Sequence, residues 1–257
     1  MLISRSNRVN FDAVLKIFIL LGFALFFFML IHTGKIQLYV NPRIVPYVKF
    51  CIIVMVIISL FLCRDIFKPR RKVTLTPYLF FLLPLFMAFS LPAKSMDSTS
   101  MAFGDVILTN TDNSQSSSTT DFVQTVPDTT DSTLKLQGDT IVVRDNNFVQ
   151  WIEEIYNNMS KYEDKKIEII GFVFKDKELR ENEFVPARLM MACCTADLQP
   201  VGFLCQYVKA SELKKDSWIK VTGTIKAIDY KGQKTPAIKA DKVENTIKPE
   251  NEYVYPY

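Results

Sequence analysis

Hydrophobic positions follow two regimes along this 257-residue chain: long apolar runs up to residue 92, and short amphipathic periods from residue 134 onward. Phe11 to Ile31 is a 21-residue run broken only by Asp12, Lys16 and Gly22. At ~1.5 Å per residue it spans a hydrocarbon core of roughly 30 Å. The following HTGKIQ offers no small-x-small cleavage site, so a span is expected rather than a signal peptide. Tyr47 to Cys63 predicts a second span after the breakers Pro42 and Pro46, with Lys49 placed to snorkel and Cys51 and Cys63 as packing residues. Tyr78 to Leu91 is shorter, about 21 Å as helix. Extended over Val73 to Pro92 it reaches an adequate length with a kink at Pro84. A third span is the favoured expectation; a re-entrant segment and cleavage near Ala88-Phe89-Ser90 are the alternatives.

From Ser98 to Thr133, sixteen of 36 residues are Ser or Thr. Such a tract buries too little apolar area to offset its ordering entropy, and it reads as a flexible tether. Beyond it, Thr140 to Val143 predicts a strand, and Asp145, Asn146 and Asn147 offer N-caps for a helix. Phe148, Ile152, Ile155 and Met159 share one face of that helix, with Trp151 and Tyr156 alongside. From Lys165 the period becomes two: Ile167, Ile169, Gly171 and Val173 alternate with Glu168, Ile170, Phe172 and Phe174. Further strands are predicted over Phe184–Ala196, Val201–Val208, Trp218–Ile225 and Ala237–Val243, with a hairpin turn at Gly232-Gln233-Lys234. Gly171 and Gly223, both mid-strand, mark bends or bulges.

The fold class expected is therefore a membrane-anchored α+β protein. Transmembrane helices occupy 1–92, a flexible linker 93–133, and a small antiparallel OB-like β-barrel with one flanking helix 134–257. A plain antiparallel sheet with one helix is the runner-up.

Charge sharpens this division. Residues 1–95 carry twelve Lys or Arg against Asp12 and Asp65; residues 96–133 carry six Asp and no base; residues 134–257 carry nineteen of each sign. Arg5 and Arg8, then Arg64, Lys68, Arg70, Arg71 and Lys72, flank the first two spans on one side, against Lys35 and Arg43 on the other. The positive-inside rule makes the first side cytoplasmic, so three spans put the β-domain outside the cell. The basic excess belongs to the anchor, and the neutral domain carries no nucleic-acid footprint. The anchor, with only Asp12 and Asp65 as acids, is expected to hold no paired intramembrane charges and so to lack the ion pathway of a pump.

The single histidine, His32, leaves the β-domain without Ser-His-Asp or Cys-His catalysis, and no CxxC, HExxH or P-loop pattern occurs. An enzyme is not expected. The candidate chemistry lies in LMMACCTADLQPVG (189–202), with Cys193, Cys194 and Asp197, and in Cys205 on the next apolar run. Thiolates suit zinc or another soft metal, with Asp197 as an oxygen ligand. Adjacent strand residues point to opposite faces, so Cys193 and Cys194 serve one ion only if a turn intervenes, which Thr195-Ala196-Asp197 could supply. A disulfide, most simply between Cys205 and one of the pair, and plain core packing are the two other readings.

The blocks KYEDKKIEIIGFVF, RLMMACCTADLQPVGFL and WIKVTGTI, behind a short multi-span N-terminus, resemble the YcgQ-like family of bacterial membrane proteins. The resemblance covers most of the chain outside the Ser/Thr tract. It makes Cys193, Cys194, Ala196 and Asp197 signature positions, with Pro200 and Gly202 just after. It implies an accessory subunit of a two-component permease in the cell membrane, partnered by a polytopic permease of the YraQ type. A stand-alone cell-surface metal or thiol-redox sensor is the alternative. The resemblance leaves substrate and cofactor open.

Overall fold

A computed structural model describes residues 10–66, 76–91, 134, 138–230 and 232–256, with side chains of the third helix from Tyr78 onward. The predicted linker, Arg5, Arg8, Lys68, Arg70, Arg71 and Lys72 lie outside the described residues. The chain divides into two compact units, the first of residues 1–95 together with Cys193–Thr195 and the second of the remainder.

The first unit is helical. Helix α1 (Phe11–His32) starts at Asn10, whose side-chain oxygen accepts a hydrogen bond from the Ala13 N–H. Helix α2 (Val45–Cys63) follows a 3₁₀ turn over Pro42–Ile44 and carries Pro46 in its first turn, where a missing N–H costs nothing. Phe11–His32 and Pro42–Cys63, 22 residues each, are long and apolar enough to cross a membrane. Phe18, Leu25, Phe28, Phe50, Ile53 and Leu60 on these helices are exposed, a pattern suited to lipid rather than water. Helix α3 (Thr76–Ser90) has 15 residues, with Pro84 inside it. Its described length is about 22 Å, and residues 73–75 and 92 of the expected span lie outside the described residues. Its Leu85 packs over Gly22 of α1, where an added Cβ would lie 2.7 Å from Leu85 Cδ2.

One expectation is corrected here. α1 does carry paired charges: Lys16 Nζ lies 3.0 Å from an Asp12 carboxylate oxygen, one helical turn away. The Tyr78 hydroxyl of α3 donates to the other Asp12 oxygen. The i, i+4 spacing hides this pair within an otherwise apolar run. Asp12 is buried, and the network ties α3 to α1 through a polar contact.

The second unit carries β1 (Thr140–Val142), α4 (Phe148–Asn157), α5 (Met159–Tyr162), β2 (Lys166–Phe174) and β3 (Glu183–Met190). β4 (Gln199–Val201), β5 (Leu204–Gln206), β6 (Trp218–Tyr230), β7 (Gln233–Asn245) and β8 (Tyr253–Val254) complete it. Strand β2 pairs antiparallel with β3 and β6, β3 with β5, and β6 with β7. Parallel pairing of β5 with β7 closes the five-stranded ring. This is the OB-type barrel, mixed rather than purely antiparallel; β1 on β2 and β8 on β3 are also parallel. The period-two residues Ile167, Ile169, Val173, Ile219, Val221 and Ile225 turn inward and fill the core. Phe148, Trp151, Ile152 and Ile155 of α4 join that core, as their helical spacing requires. Each large side chain so buried is worth about 1.5–3 kcal/mol relative to exposure.

Local differences from expectation have local causes. The flanking helix breaks at Asn158 (φ −125°, ψ 42°), so Met159 begins a separate turn. Asn147 precedes α4, but its side-chain oxygen accepts from the Arg144 N–H instead of capping the helix. Gly223 sits at a register shift between β6 and β7, the bulge its position suggests. Gly171 answers a close approach: an added Cβ would lie 2.6 Å from the Pro186 carbonyl carbon of the facing strand.

Among the described residues Arg188 is the one fully buried cation. It projects from β3, pairs with Asp145 ahead of α4, donates to the Asn251 carbonyl near β8, and lies 5.1 Å from the Trp218 ring centroid. These contacts fasten both ends of the domain sequence to the barrel.

Candidate metal centre

Strand β3 ends at Met190, short of the Ala196 expected from the apolar run. On one side Leu189 and Met190 pair with Pro200 and Gln199 of β4; on the other they pair with Tyr253 and Val254 of β8. The loop between β3 and β4 therefore leaves from a base held on both sides. Within it, Thr195–Asp197 makes a single 3₁₀ turn. Ahead of it the chain bends at Ala192 and Cys193, so the strand geometry that would send adjacent side chains to opposite faces does not continue.

The thiols of Cys193 and Cys194 consequently lie together, Sγ to Sγ 3.7 Å. Cys193 is exposed and Cys194 half-buried. One ligand atom from each of Cys193, Cys194 and Asp197 falls within 4.8 Å of the others. The Asp197 carboxylate is oriented by the backbone, because its Oδ1 accepts a hydrogen bond from the Ala192 N–H at 3.0 Å. The Ala192 amide is the part of the site that composition does not reveal. Its only trace in the sequence is an Asp five residues downstream, at the end of a short turn.

The separation of the thiols has chemical meaning. Two thiolates at ~2.3 Å from a tetrahedral ion are about 3.8 Å apart. A disulfide needs about 2.05 Å. The observed spacing fits two ligands on one soft cation, with a carboxylate to hand as an oxygen donor. The three residues thus fit zinc or a similar ion by donor type and by spacing.

Cys205 stands elsewhere. It is fully buried in the barrel core on β5, opposite Phe184 of β3 and beside Ile238 of β7. Burial pushes its thiol well above the ordinary range. It does not share in the cluster of Cys193, Cys194 and Asp197, and it packs as a small hydrophobe. The one histidine, His32, lies at the end of α1.

Away from the loop, Glu154 of α4 accepts from the Tyr162 hydroxyl at 2.7 Å and pairs with Lys161 at 3.0 Å. The Tyr162 hydrogen bond, assisted by Lys161, holds the Glu154 carboxyl below the usual carboxylate range. Glu153 beside it is shifted upward by burial. Tyr156 is also raised by burial, with its ring stacked on Phe203. These groups secure α4 on the barrel, and among the described residues they form no metal-type cluster.

An apolar helical anchor joined to an OB-type barrel that presents a dithiol–carboxylate loop defines a class: membrane-anchored barrel proteins. Residues 15–104 match the family model described as the DUF1980 N-terminal domain, and residues 118–256 match that described as the DUF1980 C-terminal domain. The chain belongs to the DUF1980 family. It is 30% identical over 117 residues to UPF0703 protein YcgQ of Bacillus subtilis (strain 168), covering 45% of this chain and 41% of that protein. It is 27% identical over 112 residues to a protein of Streptococcus mutans serotype c, named as a candidate subunit of a two-component membrane permease complex. That match covers 42% of this chain and 40% of the relative, so the chain spans about two-fifths of the length of each.

Proposed function

We propose that this protein is an accessory subunit of a two-component membrane permease and offers a soft metal ion to its partner at the Cys193-Cys194-Asp197 loop. The observation that carries the reading is the 3.7 Å thiol pair beside an oriented carboxylate, held on a barrel joined to apolar helices. The name borne by the Streptococcus mutans relative supports the subunit role. The partner in this reading is a polytopic permease of the YraQ type, met in the bilayer by the exposed apolar faces of α1 and α2. The β-domain works on the extracytoplasmic side, in keeping with the basic loop from Arg64 to Lys72.

The role is binding and handover, without a catalytic step. In zinc sites of this kind the metal supplies charge, and the protein supplies donors and access. Here Cys193 and Cys194 would give the thiolates and Asp197 the oxygen. The Ala192 amide would fix the carboxylate, as partners behind a ligand commonly do.

The test is a deletion strain complemented with the wild type or Cys193→Ser/Cys194→Ser. Cellular zinc and copper would be counted by elemental analysis, and the partner sought by co-purification. Loss of the metal phenotype with the partner still bound supports the reading. A wild-type phenotype in the double variant removes metal from the function. Absence of a co-purifying polytopic protein favours the stand-alone sensor, for which a thiol pair with Cys193 exposed is also suited.

A further inference from the structure

Resting on the metal reading above, we infer that the Cys193-Cys194-Asp197 site is a three-donor transfer site, whose ion keeps one coordination position open for a donor brought by another molecule. Three observations lead there. First, the cluster contains three ligand-capable side chains and no fourth among the described residues. Zinc held for structural purposes is almost always enclosed by four protein ligands, whereas sites that act on something keep a position open.

Second, the nearest chemical candidate for a fourth donor is unsuited. Cys205, the remaining thiol of the β-domain, is fully buried in the barrel core on β5 and is not in the cluster. Burial also disfavours its thiolate, which is the ligating form. Third, the donors differ in access: Cys193 is exposed, and Cys194 and Asp197 are half-buried. An ion bound there faces outward on the Cys193 side, where an incoming thiolate, imidazole or carboxylate can reach it.

Such a site exchanges its ion by ligand substitution. The incoming donor bonds to the open position first, then displaces the protein donors one at a time, with no redox change. The thiolates released take up protons from water, so charge and protons balance. A closed four-ligand site would instead have to lose a ligand before it could pass the ion on. The partner in this transfer is a protein or small carrier that presents soft or imidazole donors.

The experiment uses the full chain, purified in detergent micelles, reduced and loaded with Co²⁺ as an optical stand-in for Zn²⁺. One ion per chain is expected, with thiolate-to-cobalt absorption that is lost in Cys193→Ser and in Cys194→Ser. Circular dichroism would confirm that both variants fold. Added imidazole should then shift the visible bands without removing the ion, as a ternary complex forms. For Zn²⁺-loaded protein, a tenfold rise in chelator should speed release about tenfold, since attack at an open position is first order in the attacker.

Bands unmoved by imidazole, together with release independent of chelator concentration, would overturn the open-site inference while leaving metal binding intact. Protein that binds no ion would overturn both the inference and the metal reading beneath it.

Discussion

The buried cation on β3 allows a test in which two changes to one ion pair should have unequal effects. Arg188 has no exposed surface, whereas the Asp145 side chain keeps 29% of its exposure. Asp145→Ala would leave the guanidinium buried, with the Asn251 carbonyl and the Trp218 face as the contacts remaining from this network. Breaking a buried pair from one side costs about 3–5 kcal/mol. Because Asp145 is partly hydrated, that range is discounted to about 2–4 kcal/mol. Arg188→Met removes the cation and keeps most of its volume, and Asp145 can return to water. The loss should then be about 1–2 kcal/mol, chiefly from the ring contact and the Asn251 carbonyl. For a domain of this size each kcal/mol moves the midpoint by roughly 4 °C. Asp145→Ala should therefore lower Tm by about 10 °C and Arg188→Met by about half as much. Both tryptophans, Trp151 and Trp218, lie in the second unit, so fluorescence melts of the full chain in micelles report that unit. A melt in which Arg188→Met is the more damaging change would refute the reasoning.

Other expectations are read more simply. Asp197→Ala should weaken metal binding by at least tenfold by calorimetry, about 1.4 kcal/mol, and unchanged affinity would remove the carboxylate from the site. Cys205 should resist alkylation in the native protein while Cys193 reacts, counted by mass spectrometry; because the folded Cys205 thiol is raised, its favourable contribution is present below the unfolded value of about 8.5 and is lost as pH climbs beyond it. Gly171→Ala should cost about 2–3 kcal/mol or more, since the added Cβ meets β3 backbone rather than a movable side chain; a melt within 2 °C of wild type (about 0.5 kcal/mol) would contradict this. Protease added to intact cells should release the β-domain by cutting within 93–133, and full protection would place the domain inside.

Much of this architecture is legible from pattern alone. Apolar runs give α1 and α2, and the change from a helical period to a period of two separates α4 from β2. What pattern misses are contacts between distant residues. Arg188 sits in an apolar stretch, and its partners are 43 and 63 residues away, so no local spacing announces them. The Val201–Val208 run divides into β4 and β5 because Gly202 lies against β3, where a Cβ would be 2.8 Å from the Pro186 carbonyl oxygen. Parallel pairing of β5 with β7 brings together segments some thirty residues apart and leaves no turn signature. At the candidate site, residue types single out Cys193, Cys194 and Asp197, but their approach depends on a turn that sequence only permits. The Asp12–Lys16 pair has a legible i, i+4 spacing, but its burial and the Tyr78 hydroxyl that completes it, 66 residues away, are not legible.

The tail strand β8 gives the dithiol loop its own scale of motion. It is two residues long, yet it holds one side of the loop's base, and its Val254 carbonyl accepts from the Met191 N–H at the point where the loop departs. Both of its side chains are buried, Val254 in the barrel core, so opening it exposes apolar surface, yet two residues of pairing are far less than global unfolding must break. Peeling Tyr253 and Val254 away would free the segment that spaces the thiols while leaving the five-stranded ring closed. The amide of Met191 should then exchange with solvent faster than those of Ile169 or Val221, deep in the barrel. In the metal reading, how firmly an ion is held is set by how tightly this two-residue strand stays down as well as by the cysteines themselves.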